Sequence, residues 1–390
     1  MISCPDAEQS HVRLYSRICS FLGVHRNDGR MDVVAVGVGG AGGRIVDELH
    51  RDDAQRPVSY LAASRVFDTD TASLGALDRV PGDARHPFGT LAFDGAGADD
   101  DADAARDAMA EQVTELRREL DDLVTTGVTG IVLAAGLGGG TGAGATPVLA
   151  EELARVYERP VYCISVLPTS DSEQASENAA RGLEALDGVV DCQLAFDNEA
   201  WVGDDESIGD RIPVLNRELA ARLGTLFVAG EVDAASPVGE SVLDETDVAA
   251  TLDAGGLATV GYASAPVSKF RDVEDSLVGR LKGKLLEEAT DAERREAVTS
   301  TLRWAVRGQL TMDCDPADSA TALVLFSGPP DWLHRGAVAD GRDWVGGLSE
   351  NAELRSGDAP ITGSSELSVL VVFTGLERAP RIEELQWYGG

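Results

Sequence analysis

Residues 136–144 read GLGGGTGAG. Ahead of them runs Gly130-Ile131-Val132-Leu133-Ala134-Ala135, apolar and of strand length, and behind them Ala145 to Leu153 (ATPVLAEEL) has helical character. A buried strand therefore feeds a glycine-rich turn that opens a helix. Glycines accept positive φ and let a ligand approach the backbone, while the first N–H groups of a helix lack internal partners and carry partial positive charge. Such a turn is predicted to cradle phosphate. No Lys follows the last glycine, which excludes a Walker A loop.

A second turn has the same grammar. The strand Val33-Val34-Ala35-Val36 leads into Gly37-Val38-Gly39-Gly40-Ala41-Gly42-Gly43-Arg44 and then the helical Ile45 to Leu49. Gly37, Gly39 and Gly42 satisfy GxGxxG, which taken alone favours an NAD-dependent oxidoreductase. That reading lacks a catalytic His or Lys in a legible motif. A dinucleotide fold also needs only one such turn, whereas here two lie about a hundred residues apart. The next strand-like segment, Val58 to Ala63, is followed by Asp68-Thr69-Asp70-Thr71, and a third glycine loop is Gly95-Ala96-Gly97-Ala98-Asp99. That loop runs into Asp100, Asp101 and Asp103, which would repel a terminal phosphate unless they face solvent or share a cation. The composition favours solvent.

Further along, a charged amphipathic helix covers 105–124, a strand Val161 to Val166, a helix entered through Leu167 to Asp171 and running to Glu184, and a strand ending in Gln193 to Trp201. This alternation predicts a doubly wound parallel sheet with its ligand at the C-terminal strand edge. From Asp210 to Phe227, Ile212, Leu215, Leu219, Leu223 and Leu226 mark a long helix with one buried face, and Pro213 falls in its first turn. Strands at Ala320 to Ser327 and Glu366 to Thr374 predict a smaller α+β domain.

The bulk numbers narrow the partners. At 390 residues the chain is long enough for two cores. With 67 acidic and 33 basic residues, a formal net charge of -34, it repels nucleic-acid phosphates and anionic lipids. Lys269, Lys282 and Lys284 are the only lysines, so most carboxylates read as adaptation to molar salt, where the Debye length falls to about 3 Å. The five cysteines show no CxxC spacing, which predicts free thiols in a reducing cytoplasm and no structural zinc. No run of about 18 apolar residues predicts a membrane span. Residues 1–30 differ in pattern from the chain after Met31. Their apolar patch, Ile18 to Val24, is too short and too late for a secretory signal, leaving either translation from Met31 or a disordered arm.

These glycine loops, with LAFDNEAW (194–201), RELAARLGTLF (217–227), LDAGGLATVGYAS (252–264), LFSGPPDWLHRGAVADGRDW (325–344) and PRIEELQ (380–386), resemble the tubulin/FtsZ superfamily, most of all the archaeal CetZ group. The resemblance implies a GTP-binding domain over 31–206, a core helix over 207–230, a synergy loop and C-terminal domain over 231–387 and a tail over 388–390. It further implies a cytoplasmic GTPase that assembles head to tail into filaments and affects cell shape, taking GTP or GDP with Mg²⁺ and co-assembling with paralogues. By position, Gly39, Gly40, Ala41, Gly42, Gly43 and Arg44, with Gly138, Gly139, Gly140, Thr141 and Gly142, hold phosphates. Asp68, Asp70, Gly95, Ala96 and Gly97 complete the pocket, Asp171 stands in a ribose-contacting place, and Asn198 and Asn216 read the guanine edge. Asp247, with Asp244 one turn earlier, is the carboxylate lent to a neighbour's site. The chain departs from the pattern at Asp68 (Asn in FtsZ-like proteins), at Asp171 (Glu), at Val242 (Asn in FtsZ) and at Asp247 (usually Glu in the CetZ group). The acidic third loop and Asp171 motivate an alternative, a paralogue that binds GTP but hydrolyses or polymerises little and acts as a regulator.

Overall fold

Strand β1 (Val33–Val38) is buried at every position because it has parallel neighbours on both sides and helices on both faces, which is why it reads as an unbroken apolar run. In the computed structural model the described residues are 29–202, 207–231, 239, 241–270, 289–376 and 378–389. The N-terminal extension through Asp28, with its Cys4 and Cys19, lies outside them, as do Lys282 and Lys284. Within the described residues, β1 is followed by α1 (Gly39–Asp53), β2 (Leu61–Asp68), α2 (Thr71–Gly75), β3 (Arg85–Pro87), α3 (Thr90–Phe93), α4 (Ala102–Arg118), β4 (Gly130–Gly136) and α5 (Gly140–Val156). Next come β5 (Val161–Leu167), α6 (Glu173–Leu186), β6 (Cys192–Asp197), α7 (Ile208–Phe227), α8 (Glu245–Leu252) and β7 (Leu257–Pro266). The remainder is α9 (Asp291–Gly308), β8 (Thr321–Gly328), α10 (Arg335–Leu348), β9 (Glu353–Pro360), β10 (Glu366–Leu376) and α11 (Pro380–Gly389).

All ten strands form one sheet, ordered β3-β2-β1-β4-β5-β6-β7-β10-β8-β9. From β3 to β6 the pairing is parallel, as the alternation of strands and helices predicts; β10 runs antiparallel to both β7 and β8. The smaller α+β domain expected at the C-terminal end continues the same sheet, joined by the parallel pairs Gln193↔Leu257 and Leu194↔Ala258. Side chains alternate along β1: Val34, Val36 and Val38 enter one apolar layer with Leu149 and Leu153 of α5, and Val33 and Ala35 enter the other with Ile45 and Leu49 of α1 and Leu219 and Leu223 of α7. Both layers extend past β7, the first to Leu302 and Val371 and the second to Leu323 and Val372.

Local chemistry moves several boundaries from those the sequence suggests. The β2 strand begins at Leu61 and not Val58, because the Asp53 carboxylate accepts from the N–H groups of Tyr60 (2.7 Å) and Leu61 (3.1 Å) and holds the preceding residues in the entry turn. Helix α4 spans Ala102–Arg118 where the sequence pattern suggests 105–124, since Asp101 caps it by accepting from Ala104 N (2.9 Å) and the backbone tightens into turns after Arg118. Helix α7 is 20 residues, about 30 Å long, and buries Leu215, Leu219, Leu223, Leu226 and Phe227, each contributing about 1.5–3 kcal/mol. Strands β3 and β9 and helices α9 and α10 add to the elements read from sequence. The start of α9 is a capping box, Thr290 with Glu293, which is legible as T-x-x-E.

Close helix contacts rest on glycine. A Cβ on Gly144 of α5 would lie 1.9 Å from Ala102 O of α4, whereas one on Gly347 of α10 would meet nothing within 4 Å. Gly144→Ala is expected to cost about 1–3 kcal/mol by forcing the helices apart, and Gly347→Ala to stabilise by about 0.4–1 kcal/mol. Denaturant unfolding in molar salt checks both; equal effects at the two positions would refute the packing account.

Candidate functional site

Strands β1, β4, β5 and β6 end level, with Val38 opposite Ala135, Gly136 opposite Val166 and Leu167 opposite Asp197. Their following loops therefore meet at one edge, around a cavity of about 420 Å³. From the β1–α1 turn it is lined by Gly39, Gly40, Ala41 and Arg44, and from the β4–α5 turn by Gly138, Gly139, Gly140, Thr141 and Gly142. Asp68, Asp70 and Ser73 line it from the second loop, and Ala96, Gly97, Ala98 and Asp99 from the third. Leu167, Pro168 and Asn198 form the side beyond β5.

The two principal turns nearly touch. Gly39 has φ +72°, and a Cβ there would lie 3.2 Å from Thr141 Cβ and 3.3 Å from Gly142 N. Only glycine meets both demands, the left-handed conformation and the close approach. Hydrogen bonds then lock the loops together. Thr69 Oγ1 and Thr141 Oγ1 are 2.7 Å apart, Ala98 N donates to Thr69 Oγ1 (3.0 Å), and Gly140 N donates to Asp99 O (2.7 Å). The buried Asn178 of α6 donates to both Asp100 O (2.9 Å) and Gly138 O (3.2 Å). The Gly140 amide is thus already engaged by the third loop, which leaves the first-turn amides of Thr141 and Gly142 without partners inside their own helix.

Several residues singled out from sequence do not line the cavity. Gly42 and Gly43 are buried inside α1, where a Cβ would lie 2.0 Å from Ala134 O and 3.1 Å from Val66 Cγ1, so they seat the helix against the sheet. Gly95, at φ +77°, accepts from Thr71 N (3.0 Å) and shapes the third loop from outside. Asp171 is exposed and accepts from Thr169 Oγ1 (3.2 Å). Asn216 sits half-buried on α7, away from the lining. Conversely Ser73 and Pro168 line the cavity although no motif marks them as contacts, and so does Asp99 at the end of the third glycine loop. Ser73 is legible in sequence, three residues past Asp70, whose carboxylate accepts from Ser73 Oγ (2.7 Å) and Ala72 N (2.8 Å) as a helix cap.

Asp244 and Asp247 lie far from this cavity. They form a capping box at the start of α8: Asp244 Oδ1 accepts from Asp247 N (3.0 Å), and Asp247 Oδ2 accepts from Asp244 N (3.1 Å). Asp247 Oδ1 is also 3.8 Å from Arg355 Nε. Helix α7 ends beside the start of β1, where Phe227 O accepts from Met31 N (2.8 Å), and the Asp244 backbone packs against Gly230 just beyond. The aspartates therefore stand at the strand-start edge of the sheet, opposite the cavity.

Asp68 dominates the electrostatics of the cavity wall. It is 2% exposed, and burial pushes its carboxyl up to about 6, against hydrogen bonds from the Asp70 and Thr69 amides and the nearby positive charge of Arg44. A carboxyl raised on folding binds its proton more tightly in the native state, so its contribution favours folding below about pH 4 and turns unfavourable as pH rises to about 6. Asp68→Asn should remove this penalty. The stability difference between variant and wild type is expected to grow from near zero below pH 4 to on the order of 1–3 kcal/mol above pH 6, read by unfolding across that range. A difference independent of pH would refute it.

Comparison with known proteins agrees with this geometry. Residues 32–204 match the Tubulin/FtsZ family GTPase domain, and residues 205–389 match the C-terminal domain of tubulin-like CetZ. The tubulin-like protein CetZ5 of Haloferax volcanii is 37% identical over 357 residues, covering 91% of this chain and 91% of the relative. The GDP-bound monomer of CetZ1 from the same organism superposes with a TM-score of 0.79 at 31% identity, covering 92% of this chain and 98% of that one. Its CetZ2, in a GTPγS-bound protofilament, also gives 0.79 at 32% identity, covering 92% and 97%. Paired glycine turns on a level strand edge and similarity sustained through the C-terminal sheet lead to one assignment, that the chain belongs to the tubulin-like CetZ family.

Proposed function

We propose that this protein binds GTP in the cavity between its glycine-rich turns and hydrolyses it when a second copy docks head to tail, so that filament growth and hydrolysis are coupled. The observation that carries this reading is the placement of the cavity and the Asp244–Asp247 pair at opposite ends of one molecule. A carboxylate that cannot reach the cavity of its own chain is suited to the cavity of the next. The relatives add support, since CetZ1 is known with GDP and CetZ2 as a protofilament with GTPγS.

The residues fit a nucleoside triphosphate. The N–H groups of Gly40, Ala41, Thr141 and Gly142 form an anion cradle that a Cβ at Gly39 would crowd, and Arg44 offsets the charge of Asp68. Asn198 borders the cavity beside Pro168, where its amide can both donate and accept, as guanine's mixed edge requires. In this reading Asn216 and Asp171 contact base and ribose only after their segments draw in. Mg²⁺ would neutralise the phosphates when bound, a role the exposed aspartates of the third loop also favour. A carboxylate is a weak general base, but phosphoryl transfer has a loose transition state and chiefly needs water held in line, which Asp247 from the neighbouring copy would do. Donating Asp247 to a neighbour means releasing the Asp244 amide it now caps.

The family and the charge support a reading of the cellular setting. A net charge of -34 with three lysines suits a filament working in the cytoplasm of a salt-adapted cell, where we assign it a role in cell shape and co-assembly with its paralogues.

In molar salt, GTP turnover per subunit is expected to rise with protein concentration; a rate per subunit that stays constant would overturn the shared site. Asp247→Ala should still bind GTP, lose at least about tenfold in turnover and form longer-lived polymers by sedimentation, the size expected for losing one charged group that positions a reactant. Loss of nucleotide binding in that variant would reassign the residue.

A further inference from the structure

The closing PRIEELQ motif has no part in the cavity lining, every residue of which lies between Val38 and Asn198. Its arginine is nonetheless placed at great cost. Arg381 is the second residue of α11 and its side chain is 6% exposed. A cation in the first turn opposes the helix dipole, and a buried guanidinium loses hydration, so stability of α11 alone does not account for it.

Its partners do. Arg381 Nη2 donates to Pro168 O (2.7 Å) and lies 3.2 Å from Glu199 Oε2; Nε lies 3.5 Å from Asp197 Oδ1, and Nη1 donates to Glu384 Oε2 (2.7 Å). The Glu199 carboxylate in turn accepts from Ser170 N (2.9 Å) and Ser170 Oγ (2.7 Å), while Asp197 Oδ1 accepts from Glu199 N (3.1 Å) across the Asn198 turn. One planar fork thus joins two loops, the one containing Pro168 and the one containing Asn198. Both border the cavity beyond β5, where Pro168 packs against Gly138 of the β4–α5 turn.

We propose that Arg381 is a positioning residue for the base-facing side of the cavity, through which the C-terminal helix sets how strongly guanine is preferred over other bases. It does so by fixing the Pro168 backbone and the Asn198 turn in mutual register, without touching the ligand. This rests on the nucleotide reading above. Lysine cannot replace the fork, because a single ammonium reaches one of these oxygens well and not the set.

The test compares ligands with and without a base. In molar salt, wild type, Arg381→Ala and Arg381→Lys are titrated with GTP, ATP and tripolyphosphate, and hydrogen exchange is followed at the amides of Ser170 and Glu199. Arg381→Ala is expected to weaken GTP by about tenfold or more, to lose most preference for GTP over ATP and to hold tripolyphosphate within about twofold, with faster exchange at both amides; Arg381→Lys recovers part of the preference. Glu199→Ala, at a half-exposed position, should shift the same ratios in the same direction by a smaller factor, and serves if the arginine variants fold poorly. Equal losses for GTP and tripolyphosphate, or an unchanged GTP to ATP ratio, overturn the proposal. Unchanged exchange at Ser170 and Glu199 overturns it whatever the ligands do. A wild type that binds tripolyphosphate but no GTP overturns the nucleotide reading and this proposal together.

Discussion

Everything at the cavity depends on how closely two backbone turns can approach. Gly39 adopts φ +72° within van der Waals contact of Thr141, and Gly140 packs so tightly on the third loop that a Cβ would lie 2.7 Å from Asp101 N. Side chains at these points would separate the turns and disperse the amides they present. Level strand ends make the approach possible, since Val38 lies opposite Ala135, Gly136 opposite Val166 and Leu167 opposite Asp197. The glycines are therefore one arrangement with the sheet and not an ornament on it.

The loops were legible because their chemistry is local: glycine spacing, a preceding apolar run and a following helix occupy a dozen residues. The parallel half of the sheet and the long helix α7 were legible for the same reason. What escaped depends on contacts distant in sequence. That Asp99 O engages Gly140 N, that Asn178 bridges two loops and that Asn216 stands off the cavity are set by tertiary packing, to which no local pattern points. Short β3 pairs only three residues with β2, and β9 carries the run Arg355-Ser356-Gly357-Asp358 with no apolar side chain, so neither shows the alternation that marks a strand. Gly42 and Gly43 match the phosphate motif yet serve helix packing, a reminder that a motif names positions without assigning each of them a contact.

Acidic side chains play unlike parts in this chain. Asp101 and Asp244 cap helices; Asp53 and Asp68 order turns; most others face solvent. In so acidic a protein a lone exposed carboxylate carries little weight by itself. Asp68 and Asp197 are different, because both are buried, and that burial pushes their carboxyls up to about 6. Burial separated these two from their many solvated counterparts, and sequence alone carries no measure of it.

The join between β6 and β7 is narrow. Two residue pairs connect them, where β5 and β6 share six and β8 and β9 share eight. In the proposed filament, a bending load would fall first on so narrow a waist, and the two apolar layers that run continuously across it would be what resists.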